Sequence, residues 1–104
     1  MEWTSMMKAL RNHGKKTILR VYWASGLIFD GFVDTISETT NCLDYDDPDL
    51  IEYYMCVFMI TDVVQLSKTE PFIGEVGGLY ELSELNEPIK IEVKEGEVIW
   101  QKHT

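Results

Sequence analysis

Apolar residues near the start of the chain fall at Trp3, Met6, Met7 and Leu10, the i, i+3, i+4, i+7 spacing that lines one face of a helix. Thr4 or Ser5 supplies a capping hydroxyl, and Gly14 after His13 supplies a stop, so the pattern predicts a helix over residues 3–13. At Thr17 the residue types change. Residues 17–23 are rich in β-branched and aromatic side chains and predict a first strand, closed by a turn at Ala24, Ser25 and Gly26. Residues 27–36 predict a second strand with Phe29, Gly31, Val33 and Thr35 on one face. A glycine inside a strand marks a bulge, a sharp bend or a close backbone approach, so Gly31 is a candidate bend.

Residues 37–40 read as a turn and residues 41–43 as a short third strand. Residues 44–49 contain Pro48 and four aspartates and read as an exposed loop. Residues 51–60 are apolar at both alternations. A strand of that kind is central, or is covered by another element or subunit, which favours self-association into an oligomer. Val63, Val64 and Leu66 predict a closing fifth strand. Beyond Pro71 the glycines at 74, 77 and 78 suggest a connection, residues 79–85 a helical turn, and residues 88–93 and 97–101 a hairpin around Lys94, Glu95 and Gly96. The fold class expected is mainly β in one domain, 1–104. It has a helix (3–13), a five-stranded, strongly bent barrel (17–66), and a C-terminal extension (68–104) carrying a hairpin as an appendage.

Composition bounds this picture. A chain of 104 residues with 45% hydrophobic content can build a core without disulfide or metal support. No run reaches the ~20 apolar residues of a membrane span. The first five residues lack a basic region followed by an apolar stretch, so no signal peptide is expected. These readings imply a cytoplasmic protein with no membrane partner. Cys42 and Cys56 form no CxxC pair and are expected as buried, reduced thiols, although sequence separation leaves a disulfide open.

Charge changes the picture more. From Val21 to Ser67 there is no lysine or arginine, against nine acids: Asp30, Asp34, Glu38, Asp44, Asp46, Asp47, Asp49, Glu52 and Asp62. The segments before, within and after that stretch carry +4, −9 and −4, giving the chain its net −9. Such a surface repels polyanions and attracts basic partners, which argues against nucleic-acid binding. The candidate partner-binding residues are Asp44, Asp46, Asp47, Asp49 and Glu52, with Tyr45 as an aromatic anchor among them. Tyr22, Trp23, Tyr53, Tyr54 and Phe58 are read mainly as core.

No catalytic pattern is present. His13 suits a helix C-terminus, and His103 lies in the tail. Counted from Asp44, the calcium-loop glycine and glutamate positions hold Asp49 and Met55, so no metal and no cofactor are expected.

Glycine spacing carries one resemblance. Gly26 and Gly31, then Val33 and Ile36, then Asn41 and Leu43, fall at the intervals of the first Sm motif. Over residues 17–66 the chain therefore resembles the Sm-like (LSm) family of small SH3-like barrels. The resemblance implies that fold and a capacity for ring assembly. It does not carry the family's RNA pocket. Ser37 stands where an aspartate orients the asparagine, Thr39 where a base-stacking side chain lies, and Met59 and Ile60 where an arginine–glycine pair belongs. Asn41 alone remains of that pocket. The expected function is a non-enzymatic, acidic protein-interaction module. It either self-associates or binds a basic surface, in the manner of an immunity or inhibitor protein that presents carboxylates where phosphates would lie. The alternative is an Sm-like RNA-binding ring that uses a basic pole at Lys8, Arg11, Lys15 and Lys16.

Overall fold

Thr4 turns the chain into its helix, its Oγ1 accepting the Met7 N–H at 3.2 Å. The computed structural model describes residues 2–14, 16–72 and 74–102, and bounds α1 at Ser5–Arg11. The helix is shorter than residues 3–13 because Trp3 stands outside the cap and Asn12 ends the last turn. It buries Met6, Met7 and Leu10. Trp3 stacks on Tyr54 with ring centroids 4.0 Å apart, and the Arg11 guanidinium lies 4.6 Å from the centre of the same indole. Lys15 and His103 lie outside the described residues.

Six strands follow: β1 (Leu19–Tyr22), β2 (Ile28–Thr40), β3 (Glu52–Gln65), β4 (Leu79–Ser83), β5 (Lys90–Val93) and β6 (Val98–Gln101). They form one antiparallel sheet in the order β4-β3-β2-β1-β5-β6. The first four make a meander. Residues 84–89 then carry the chain across, so that β5 pairs with β1 on the side away from β2. Alternation sets the faces: Leu19 and Val21 are buried while Arg20 and Tyr22 point outward. Phe29, Phe58, Ile60, Leu82 and Ile91 join the helix residues in one core cluster. No helix among the described residues is long and apolar enough to cross a membrane.

The fold is mainly β with one short helix and a C-terminal hairpin, as the pattern predicts. Its details differ. The sheet is open, because β4 and β6 are its two ends and do not pair. Residues 17–66 supply three strands rather than five. Residues 41–43 are not a strand, since Cys42 sits at a φ of 66°, in the left-handed region. Residues 63–65 continue β3 past Asp62 instead of starting a new strand. Residues 79–83 are a strand rather than a helical turn. The C-terminal hairpin is part of the sheet rather than an appendage, because Val93 lies opposite Leu19 and Ile91 opposite Val21.

Gly31 is the bend. The β2–β3 register shifts between Asp30 and Gly31, and a Cβ on Gly31 would run into the Met59 carbonyl and the Phe58 ring. Asp30, 1% exposed, is held by Arg20 through two bonds of 2.8 and 3.0 Å, with Lys94 at 3.8 Å. The pairing favours the charged guanidinium, so the hydrogen bond to Asp30 raises the Arg20 pKa. β1 covers β2 only over residues 28–31, and β4 covers β3 only over residues 55–59. Only residues 38–40 of β2 and 52–54 of β3 extend beyond both, as a two-stranded arm.

Candidate functional site

The arm ends in a loop, residues 41–51, that Asn41 closes. Its Nδ2 donates to the Asp49 carbonyl at 3.0 Å, its Oδ1 accepts the Ile51 N–H at 3.1 Å, and its backbone N–H donates to the Ile51 carbonyl at 3.2 Å. Two turns follow in series. The Asp47 N–H donates to the Asp44 carbonyl at 2.9 Å and the Leu50 N–H to the Asp47 carbonyl at 3.1 Å. The Asp47 Oδ1 accepts the Asp49 N–H at 2.8 Å, an Asx-turn bond spanning Pro48. Asp47 is half-buried and shapes the loop, while Asp44, Asp46, Asp49 and Glu52 present exposed carboxylates.

Tyr45 stands among those carboxylates at 86% exposure, with Leu43 at 40% and Ile51 at 43% beside it in the loop. Glu38, Thr39, Thr40, Tyr45 and Glu52 line a shallow concavity of about 240 Å³. The register explains the two glutamates. Thr40 lies opposite Glu52 and Glu38 opposite Tyr54, so Glu38 and Glu52 share one face of the arm. The tip thus combines an aromatic ring and two aliphatic side chains with a rim of acids, a composition suited to a lysine- or arginine-bearing surface.

The sequence reading placed Asp44, Tyr45, Asp46, Asp47, Asp49 and Glu52 together, and the hairpin does bring them to one end of the molecule. It missed Glu38, Leu43 and Ile51. Alternation along a hairpin reaching to residue 40 would have found Glu38. The other aromatics of the acidic stretch are occupied elsewhere. Tyr53 and Phe58 are buried, Tyr54 is under Trp3, the Tyr22 hydroxyl donates to Glu92, and Trp23 packs edge-on to Tyr80. Burial is the main cause that raises the Tyr53 hydroxyl pKa, with Glu81 adding to it. The hydrogen bond to Glu92 raises that of Tyr22.

The Sm-motif positions are spread along the β1–β2–β3 meander. Gly26 lies in the β1–β2 turn at a φ of 93°, Gly31 at the bend, and Asn41 just past the end of β2, with both side-chain polar atoms used in closing the loop. Cys42 is exposed, which corrects the expectation of two buried thiols. Cys56 is buried, and burial with the nearby Asp34 charge pushes its thiol up to about 12. Neither is in a disulfide. Lys8, Arg11 and Lys16 are exposed, with Arg11 resting on Trp3, and His13 Nδ1 bonds the Ala9 carbonyl at 2.9 Å. Among the described residues no group of three or more histidine, cysteine, aspartate or glutamate side chains is arranged to hold a metal ion.

The family model described as "Cognate immunity protein YxxD" matches residues 1–104, the whole chain. No curated protein and no solved structure matches it.

Proposed function

The chain belongs to the YxxD family of cognate immunity proteins, and from that premise we propose that it neutralises a partner toxin by binding it with the acidic end of the β2–β3 hairpin. The role is binding rather than catalysis. Asp44, Asp46, Asp49 and Glu52 draw a basic surface in from a distance, and Tyr45 anchors it once contact is made. Glu38, Tyr45 and Glu52 around the concavity suit one inserted lysine or arginine, whose charge meets two carboxylates and whose stem lies on the ring. Asp47 contributes by holding the loop's shape. A toxin that acts on a polyanion has a basic groove, and this rim offers carboxylates in place of its phosphates.

The observation that carries this reading is Tyr45, 86% exposed and ringed by acids on an arm that extends beyond the flanking strands. A large aromatic this exposed adds little to core burial and suits a contact hot spot. Two unpaired cysteines, one of them exposed, support a reducing compartment such as the cytoplasm. The test is co-expression with the cognate toxin. Tyr45→Ala should fold normally and lose protection against growth arrest, and Tyr45→Phe should keep most of it. Full protection by Tyr45→Ala at low expression would remove the tip from the binding surface.

A further inference from the structure

β2 has two edges, and over residues 35–40 one of them carries no strand, although the Cys42 Sγ lies 4.0 Å from the Thr40 carbonyl. β1 leaves β2 at Gly31. Among the described residues, no backbone hydrogen bond reaches residues 35–40 from any element but β3. The Asn41 N–H donates to the Ile51 carbonyl, which sets the alternation: Thr35, Ser37 and Thr39 turn their backbone groups to β3, and Ile36, Glu38 and Thr40 turn theirs away. The far side of β3 gives the same parity, since the Ile60 N–H donates away from β2, to Gly78.

Edges of this kind are ordinarily guarded by lysine, proline, a bulge or short length. The nearest bulge lies earlier, between Val33 and Thr35. From Thr35 opposite Val57 to Thr40 opposite Glu52 the register is unbroken. The six residues 35–40 contain no proline, glycine or lysine, and Glu38 is their one charge. The sheet's two end strands are shorter, at five and four residues. Among the described residues this run of β2 is therefore the longest regular edge that carries no strand.

We propose that the partner adds a strand to this edge, in register with Ile36, Glu38 and Thr40. This rests on the immunity reading and extends it to the mode of contact. The occupant is an extended segment of the basic partner protein. Main-chain bonds supply its affinity, and a lysine or arginine beside Glu38 supplies selectivity. Glu38 and Glu52 share the face that such a strand would line, and the loop carboxylates continue beyond it. A second copy of this chain brings a net charge of −9 against −9 and fits the edge poorly.

Amide hydrogen exchange tests the proposal. The partner used is the cognate toxin, identified as the polypeptide whose growth arrest this chain suppresses on co-expression. In the free chain the amides of Ile36, Glu38 and Thr40 should exchange readily. In the complex they should slow by about tenfold or more, as buried ladder bonds do. Glu38→Pro removes one outward donor and no bond to β3, and should raise the dissociation rate sharply with the melting temperature nearly kept. Glu38→Gln keeps the donor and should lower mainly the association rate. If Glu38→Pro fails to fold, the exchange data decide alone. A complex that leaves these three amides unprotected overturns the edge proposal and spares the acidic tip. No complex at all overturns both.

Discussion

Asn41 and Ile51 face each other across the neck of the acidic loop, each donating a backbone N–H to the other, to a side-chain oxygen in one direction and a carbonyl in the other. With its Nδ2 bond to Asp49, the Asn41 side chain accounts for two of the bonds that close residues 41–51. Asn41→Ala should therefore cost about 1 kcal/mol, two exposed hydrogen bonds at the low end of the usual net value. Urea denaturation measures it. A change under about 0.3 kcal/mol would mean that the loop holds its shape without that side chain.

Gly31 is the second structural test. Its missing Cβ leaves room for the Met59 carbonyl, a backbone atom that cannot rotate away. Gly31→Ala should cost about 2–4 kcal/mol through displaced strand pairing. For a domain of this size that lowers the melting temperature by roughly 10 °C or more. A shift below about 3 °C would contradict the close approach.

The buried thiol sets a pH dependence. Burial raises the Cys56 pKa in the fold to about 12, while the unfolded chain keeps the ordinary value near 8.5. Above that ordinary value the unfolded thiol has lost its proton and the folded one retains it, so folding stability falls as pH rises. The contribution is full below about pH 8.5 and is lost progressively toward pH 12. Tyr22 and Tyr53, also raised, act in the same sense at the upper end of that window. Equilibrium unfolding between pH 7 and 11 should show a plateau and then a decline, shallower in Cys56→Ala. At pH 8 iodoacetamide should modify exposed Cys42 quickly and reach Cys56 only in denaturant. Equal rates at both would contradict the burial of Cys56.

Helix and hairpin signals were legible because they are local. Trp3, Met6, Met7 and Leu10 with Thr4 define α1, and Lys94, Glu95 and Gly96 define the β5–β6 turn, where Glu95 takes a φ of 61°. Gly31 was legible because a glycine inside a strand has few other uses. The expected break after residue 60 does not occur, because the strand runs through Thr61 and Asp62 with Asp62 opposite Asp30. β4 was misread because five residues cannot show which period they follow. The return of β5 to β1 pairs residues some seventy positions apart, beyond any local signal. The acidic tip was visible as a run without a basic residue. Glu38 was not, because residues 37–40 read as a turn, which hides the strand alternation that places it.

The central claim is that the acids at the tip steer a basic partner. Asp44, Asp46, Asp47 and Asp49 are changed together to asparagine, which keeps at position 47 an oxygen to accept the Asp49 N–H. Association rates with the cognate toxin are then measured at low and high salt. The parent should associate fast at low salt and slow steeply as salt rises. The fourfold variant should melt near the parent, associate about tenfold or more slowly at low salt, and lose most of the salt dependence. An unchanged rate at low salt would contradict the claim, leave the loop as solvation, and move the binding surface away from the tip.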